Sequence, residues 1–398
     1  MIPDPIRWFG RALTLPLLLM AAPALADDPV PAGVADAMAQ SASPQAIAEY
    51  RARLQDYLEA RQEYETDASA YWSAISEKRR GRNAKRRDGE PVTLDDYVLV
   101  QPPVYDGPKR PVDPQPQDKP EPGRERKTIP LVGDLVQAAT EHYQFAPQRP
   151  AAEVEFKRAY ARVALAAGLT REQAVRVYAF ETGGNGGHDM QSGLSASRPG
   201  SRAISTAIGY NQLLTTNSVE LMAEQGHAIV AELTQKAARL SGPPRQALER
   251  KIAVVKRMVA FARSVPDQWS EHEKLGNMSQ GWAIHAMVLD LDVGPLLQVH
   301  KLLTSVLFAR QKGYSRPLSA AELEMMNLTG DGTGFDMVTM PQALREQVPT
   351  ANFFQRNGYE RNPVAIRHNT VAKLLAVTDA RMDANSNNPG ARELAAAF

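Results

Sequence analysis

Glu181 is followed at once by Thr182-Gly183-Gly184-Asn185-Gly186-Gly187. The residues before it, 171–180, place Ala174, Val177 and Tyr178 on one face of a helix. An acid at a helix C-terminus faces the negative end of the macrodipole, which disfavours ionisation by a few tenths of a kcal/mol up to about 1. Burial beside Tyr178 or Phe180 would push the same way. A carboxyl kept protonated near neutral pH is a general acid, and the glycines after it let a bulky ligand approach the backbone. A helix that simply ends in Glu before a glycine stop leaves the same pattern.

Other chemistries drop out one by one. With no cysteine in the chain, disulfides, thiolate catalysis, Cys-ligated zinc and a lipidated N-terminal Cys are all excluded. His272-Glu273-Lys274-Leu275-Gly276 begins like a zinc-protease helix but has Gly where the second His must stand, and it reads as surface charge. Gly330-Asp331-Gly332-Thr333-Gly334 lacks both the dinucleotide glycine spacing and the Lys-Ser/Thr of a phosphate loop. There is no Gly-x-Ser-x-Gly elbow, and the seven histidines are scattered. Neither a metal nor a cofactor is expected.

After a polar loop, 188–205, comes Thr206-Ala207-Ile208-Gly209-Tyr210-Asn211-Gln212-Leu213, with Gly209 lying 28 residues beyond Glu181. This pairing resembles the lysozyme-like domain of the lytic transglycosylases. That family places a catalytic Glu at a helix end in a Glu-Ser/Thr-Gly context, with a Gly-Leu-Met-Gln type motif some thirty residues on. The matching positions are Glu181, Thr182 and Gly183, then Gly209, Tyr210, Asn211 and Gln212, where Tyr210 and Asn211 depart from the family's Leu-Met. The nearest counterpart of the family's later Ala-Tyr-Asn-Ala-Gly motif is Asn357-Gly358-Tyr359-Glu360-Arg361-Asn362. The resemblance covers roughly 130–382. It implies Glu181 as the catalytic residue, with Thr182, Gly183, Tyr210, Asn211, Gln212 and Tyr359 on the glycan. Asn352 and the acids Asp331 and Asp336 would line the far end of a groove, and the Phe353-Phe354 pair reads as core.

Glycoside hydrolases normally use two carboxylates, and Asp189 is the second acid near Glu181 in the sequence. A lytic transglycosylase, as the resemblance implies, needs one, because the 6-hydroxyl of the muramic acid residue attacks its own anomeric carbon. A muramidase using Asp189, and a catalytically silent peptidoglycan-binding or scaffold protein, are the alternatives.

The elements that must position these residues read as follows. Arg7 and Arg11 precede an apolar stretch, 12–22, and Ala24-Leu25-Ala26 forms a small-x-small cleavage pattern, so 1–26 is expected to be a secretory signal peptide addressing the chain to a periplasm. Its apolar core is about half the roughly 20 residues of a membrane span, and no stable span is expected after cleavage. The mature chain would carry 44 basic and 44 acidic residues, a balance that offers nothing to nucleic acid. Residues 27–87 form a helical arm, with Ser43 as N-cap and Pro44 at the first helical position. On it Ile47, Tyr50, Leu54, Tyr57, Tyr64, Ala68, Tyr71 and Ile75 step by threes and fours, a stripe (47–75) for intramolecular packing or for a protein partner. Seven of the ten residues 78–87 are basic, which reads as a solvated helix end or a contact for anionic wall polymers.

Ten prolines in 91–130 place an extended Pro-rich linker at 88–129. Beyond it the chain is helical, with a Thr170–Gln173 capping box and three-four apolar spacing over 218–240, 244–265, 279–291, 295–312 and 363–382. The expected protein is mainly α: a lysozyme-like helical domain over 130–382 behind the arm and linker, with a flexible tail at 383–398. The expected activity is cleavage of peptidoglycan between MurNAc and GlcNAc to give 1,6-anhydro-MurNAc ends.

Overall fold

A computed structural model describes residues 43–114, 129–194 and 200–398; the expected signal peptide lies outside them. Among the described residues there are helices and short 3-10 turns but no strand, only isolated bridges. No helix among them is long and apolar enough to cross a membrane.

The first helix among the described residues, Pro44–Asp88, is 45 residues long and starts where its cap dictates, the Ser43 hydroxyl accepting from the Ala46 N–H at 3.2 Å. Two compact units divide within it: of the described residues, 43–63 group with 105–114, and 64–104 group with those from 129 onward. In the first unit Tyr57 packs edge-on to Tyr105 with ring centroids 6.3 Å apart, and Arg61 lies over the same ring.

In the second unit the stripe is core. Ala68, Tyr71, Trp72 and Ile75 are buried with Tyr97, Phe353, Phe354 and Tyr359 in one hydrophobic cluster. The stretch 88–104, expected to be linker, therefore belongs to the helical unit. Beyond Asp88 its one helical element is the short 3-10 turn Leu94–Asp96, and prolines that disfavour a longer helix do not prevent docking. The Asn352 side chain satisfies Val98 as a neighbouring strand would: its Oδ1 accepts from the Val98 N–H (3.0 Å) and its Nδ2 donates to the Val98 carbonyl (2.8 Å). Tyr71 donates to the carbonyl of Val100 at 3.0 Å.

The basic run is only partly solvated: Lys78, Arg80 and Arg87 are exposed, and the other four turn inward. Arg82 is fully buried, with Nε 2.9 Å from Asp336 Oδ2, and Arg86 and Tyr97 also bind Asp336. Arg79 donates to the carbonyls of Asn352 and Phe354 (3.0 and 2.9 Å), and Lys85 pairs with Asp96 at 2.8 Å. Sequence could not anticipate this, because Asp336, expected in a groove, stands some 250 positions away.

The rest of the unit is built on two further clusters. One joins the helices Val132–Tyr143, Thr215–Glu224, Gly226–Ala238, Gly242–Ala262 and Ser279–His285. The other joins Glu153–Ala166, Arg171–Thr182, Gly294–Gln311, Ala320–Thr329 and the C-terminal helices Val371–Ser386 and Pro389–Ala396. Three expected helices are broken. The 218–240 segment divides before Gly226, where a Cβ would meet Val259 Cγ2 at 2.4 Å. The 279–291 segment tightens to a 3-10 turn at Ala286–Leu289, and 363–382 is interrupted between Arg367 and Val371. His272, expected as surface charge, is 1% exposed.

Candidate functional site

The helix carrying Glu181 is set by its own sequence. Thr170 Oγ1 accepts from the Gln173 N–H (3.1 Å) while Gln173 Oε1 accepts from the Thr170 N–H (2.9 Å), so the helix Arg171–Thr182 starts at a capping box. It ends at Gly183 in the left-handed conformation, φ 68°. Glu181 stands in the last turn, half-buried.

The glycines after it serve two purposes. A Cβ on Gly183 would meet nothing within 4 Å, whereas one on Gly184, at φ 76°, would meet the Asn385 carbonyl at 2.3 Å. The expected flexible tail, 383–398, is what fills that space. Asn388 Nδ2 donates to the Gly183 carbonyl (2.7 Å), Asn385 Nδ2 to the Ala179 carbonyl (3.0 Å), and the Gly390 N–H to Asn185 Oδ1 (3.2 Å). The Pro389–Ala396 helix buries Ala391 and Leu394 behind them. Gly184→Ala should cost at least about 1 kcal/mol from the left-handed backbone alone, and more because backbone blocks the methyl group. Urea unfolding would show it, and a neutral result would mean that the C-terminal helix is not seated on the loop.

The loop 206–213 is brought to the same helix through its buried face. Gly209, φ 84°, lies so close to Gln298 that a Cβ would stand 2.1 Å from Nε2. Tyr210, expected on the glycan, is fully buried: its ring packs on Tyr178 (4.7 Å between centroids), Phe156 and Tyr160, and its hydroxyl donates to Glu153. Asn211 is buried too, donating its N–H to Gln298 Oε1 (2.8 Å) and its Nδ2 to the Gln298 carbonyl (2.7 Å). The two departures from the Leu-Met pair thus fall on core positions. Gln212 is half-buried with φ 44°, and its Nε2 is spent on the Gly209 carbonyl (2.9 Å) and the Met190 carbonyl (3.3 Å).

Other expected contacts also turn inward. Thr182 is buried, its hydroxyl bonded to the Tyr178 carbonyl at 2.7 Å. Asn352 and Tyr359 sit in the cluster around Tyr97 and Trp72. Asp189 is paired at the surface with Arg149.

What stands beside Glu181 is a residue the sequence reading missed. Glu324, on the helix Ala320–Thr329, is 1% exposed, and its carboxyl lies in hydrogen-bond contact with that of Glu181. Asn327, one turn on, donates Nδ2 to Glu181 Oε1 at 3.3 Å. Burial pushes Glu181 up to about 7, opposed by hydrogen bonds from Glu324 and Asn327 and by the charges of Lys301 and Arg381. Glu324 is driven well above the carboxylate range, first by burial and then by Glu181. The one clue in sequence was a Glu set among Leu323, Met325 and Met326, a stretch apolar on both sides of the acid.

Lys301, on the helix Gly294–Gln311, faces further acids: Glu220 and Glu224 of Thr215–Glu224, and Asp331. Burial raises all three, Glu224 to about 7 with Glu220 adding to the push. Ser305 donates to Asp331. No cluster of three or more His, Cys, Asp or Glu among the described residues is placed to hold a metal ion. The chemistry available is proton transfer from a half-buried carboxyl. Comparison with family models, curated proteins and solved structures gave no match.

Proposed function

We propose that the chain is an exported peptidoglycan lytic transglycosylase that cleaves between MurNAc and GlcNAc with Glu181 as acid and then base. The observation that carries this reading is the Glu181 carboxyl itself, half-buried at a helix end beside an unobstructed Gly183 and raised to about 7. A group that titrates near neutrality can both give and recover a proton. Glu181 protonates the glycosidic oxygen as the bond from the muramic anomeric carbon breaks. Its carboxylate then takes the proton of the 6-hydroxyl as that oxygen closes on the anomeric carbon. No water is consumed, and Glu181 ends as it began.

The nearest carboxyl favours this route over hydrolysis. Hydrolytic pairs stand about 5–9.5 Å apart with the sugar between them, whereas Glu324 touches Glu181 directly and Asp189 is engaged with Arg149. A partner-binding role for the helical stripe is confined to 47–57, since Ala68, Tyr71 and Ile75 are core.

The test is a mass spectrum of the fragments that the purified protein releases from peptidoglycan. The expected fragments end in 1,6-anhydro-MurNAc and are lighter by one water than reducing ends. Reducing ends would make the protein a muramidase. Binding without release would make it a glycan-binding module.

A further inference from the structure

Two carboxyls in contact inside a protein cannot both ionise, because like charges at that distance repel strongly where water does not screen them. One proton must stay, and the surroundings of Glu324 say where. Its Oε2 is buried and has no hydrogen-bond donor among the described residues, a costly state for an anionic oxygen. A protonated Glu324 carboxyl needs only an acceptor for its proton, which the Glu181 carboxyl provides. Facing Glu181 are Glu324, Asn327, Lys301 and Arg381; facing Glu324 are Glu181, Asn327 and Lys301. Burial and then the Glu181 carboxyl hold Glu324 protonated against the Asn327 hydrogen bond and the Lys301 charge, and Glu181 is the more exposed of the two.

We propose that Glu324 is a positioning residue for Glu181: a buried carboxylic acid that keeps its own proton and donates it in a hydrogen bond to the Glu181 carboxylate. Asn327 supplies a second donor from the same helix. Together they hold the Glu181 side chain in place and favour its anion. Under the transglycosylase reading, on which this consequence rests, that anion is the base that accepts the proton of the 6-hydroxyl. The sharing of the proton itself does not depend on any substrate.

The experiment is a titration of full-length protein carrying carbon-13 at its glutamate side-chain carboxyls, followed by NMR. Glu181→Gln and Glu324→Gln assign the two resonances. In the unmodified protein the Glu181 resonance should titrate near neutrality and the Glu324 resonance only after it, at higher pH. A Glu324 carboxyl that titrates in the ordinary carboxylate range would overturn the proposal without any variant. Glu324→Leu removes the donor and should move the Glu181 midpoint up by about one pH unit or more. Glu324→Gln keeps an N–H donor and should leave it near the unmodified value. A midpoint unmoved by Leu, or moved as far by Gln as by Leu, would reduce Glu324 to packing. If Glu324→Leu does not fold, the unmodified and Gln titrations decide by themselves. Release of no fragments from peptidoglycan would defeat the transglycosylase reading and leave the outcome of the titration standing.

Discussion

Glu181→Gln should lower fragment release from peptidoglycan by at least about a hundredfold, the loss typical of removing a group that gives and takes a proton. The amide keeps the shape of the side chain but cannot donate and recover a proton. The same variant should gain stability relative to the parent as pH rises. A carboxyl with an unfolded value near about 4.3 and a folded value of about 7 binds more protons folded than unfolded between those limits. Its contribution is complete below the lower value and is lost as pH climbs through the upper one. Gln has no such dependence, so the difference in melting midpoint between variant and parent should widen in the variant's favour from pH 5 to pH 8. A constant difference would mean that Glu181 titrates as an ordinary surface acid. Asp189→Asn should do little to either measurement, because its carboxylate is engaged with Arg149 at the surface.

Arg82→Met should destabilise the protein by about 3–5 kcal/mol, the cost of taking one partner out of a buried ion pair, even though Arg86 and Tyr97 still reach Asp336. Asp336 is 4% exposed, and Arg82 meets it from a fully buried position. Arg82 also donates to the carbonyls of Asp96 (2.9 Å) and Asn352 (3.3 Å) and lies over the Tyr97 ring at 4.3 Å. One side chain therefore ties together the long helix, the stretch 88–104 and the 350–353 turn. Lys should not rescue it, since an ammonium cannot reproduce the guanidinium fork. Adding Asp336→Asn to Arg82→Met should cost less than the sum of the two single changes, because both remove the same buried ion pair. Urea unfolding measures the parent and each variant, and additive losses would show that the pair is solvated.

Features that depend on neighbours in the chain were legible beforehand. The Ser43 and Thr170 caps and the helical content follow from spacing of a few residues. So does a carboxyl at the end of the helix Arg171–Thr182, since Glu181 and its glycine stop are contiguous. The stripe from Ala68 to Ile75 announced a buried face, though not what would bury it.

The tertiary structure decided whatever depends on desolvation and on partners far along the chain. A run of arginines has the same sequence whether it is solvated or buried, and only Asp336 and the carbonyls of the 350–353 turn make it a buried anchor. Prolines announced that 88–104 would carry no long helix, and only the 3-10 turn Leu94–Asp96 forms there, yet they are silent about whether the chain docks, which Asn352 and Tyr71 settle by bonding its backbone. Tyr210 and Asn211 looked like residues for a ligand and became core, because Tyr178, Glu153 and Gln298 surround them. Glu324 lies 143 positions from Glu181, and the shift of both carboxyls exists only because the fold withdraws them from water together. Local spacing sets which helices form; the state of a charge is set by what a remote segment puts beside it.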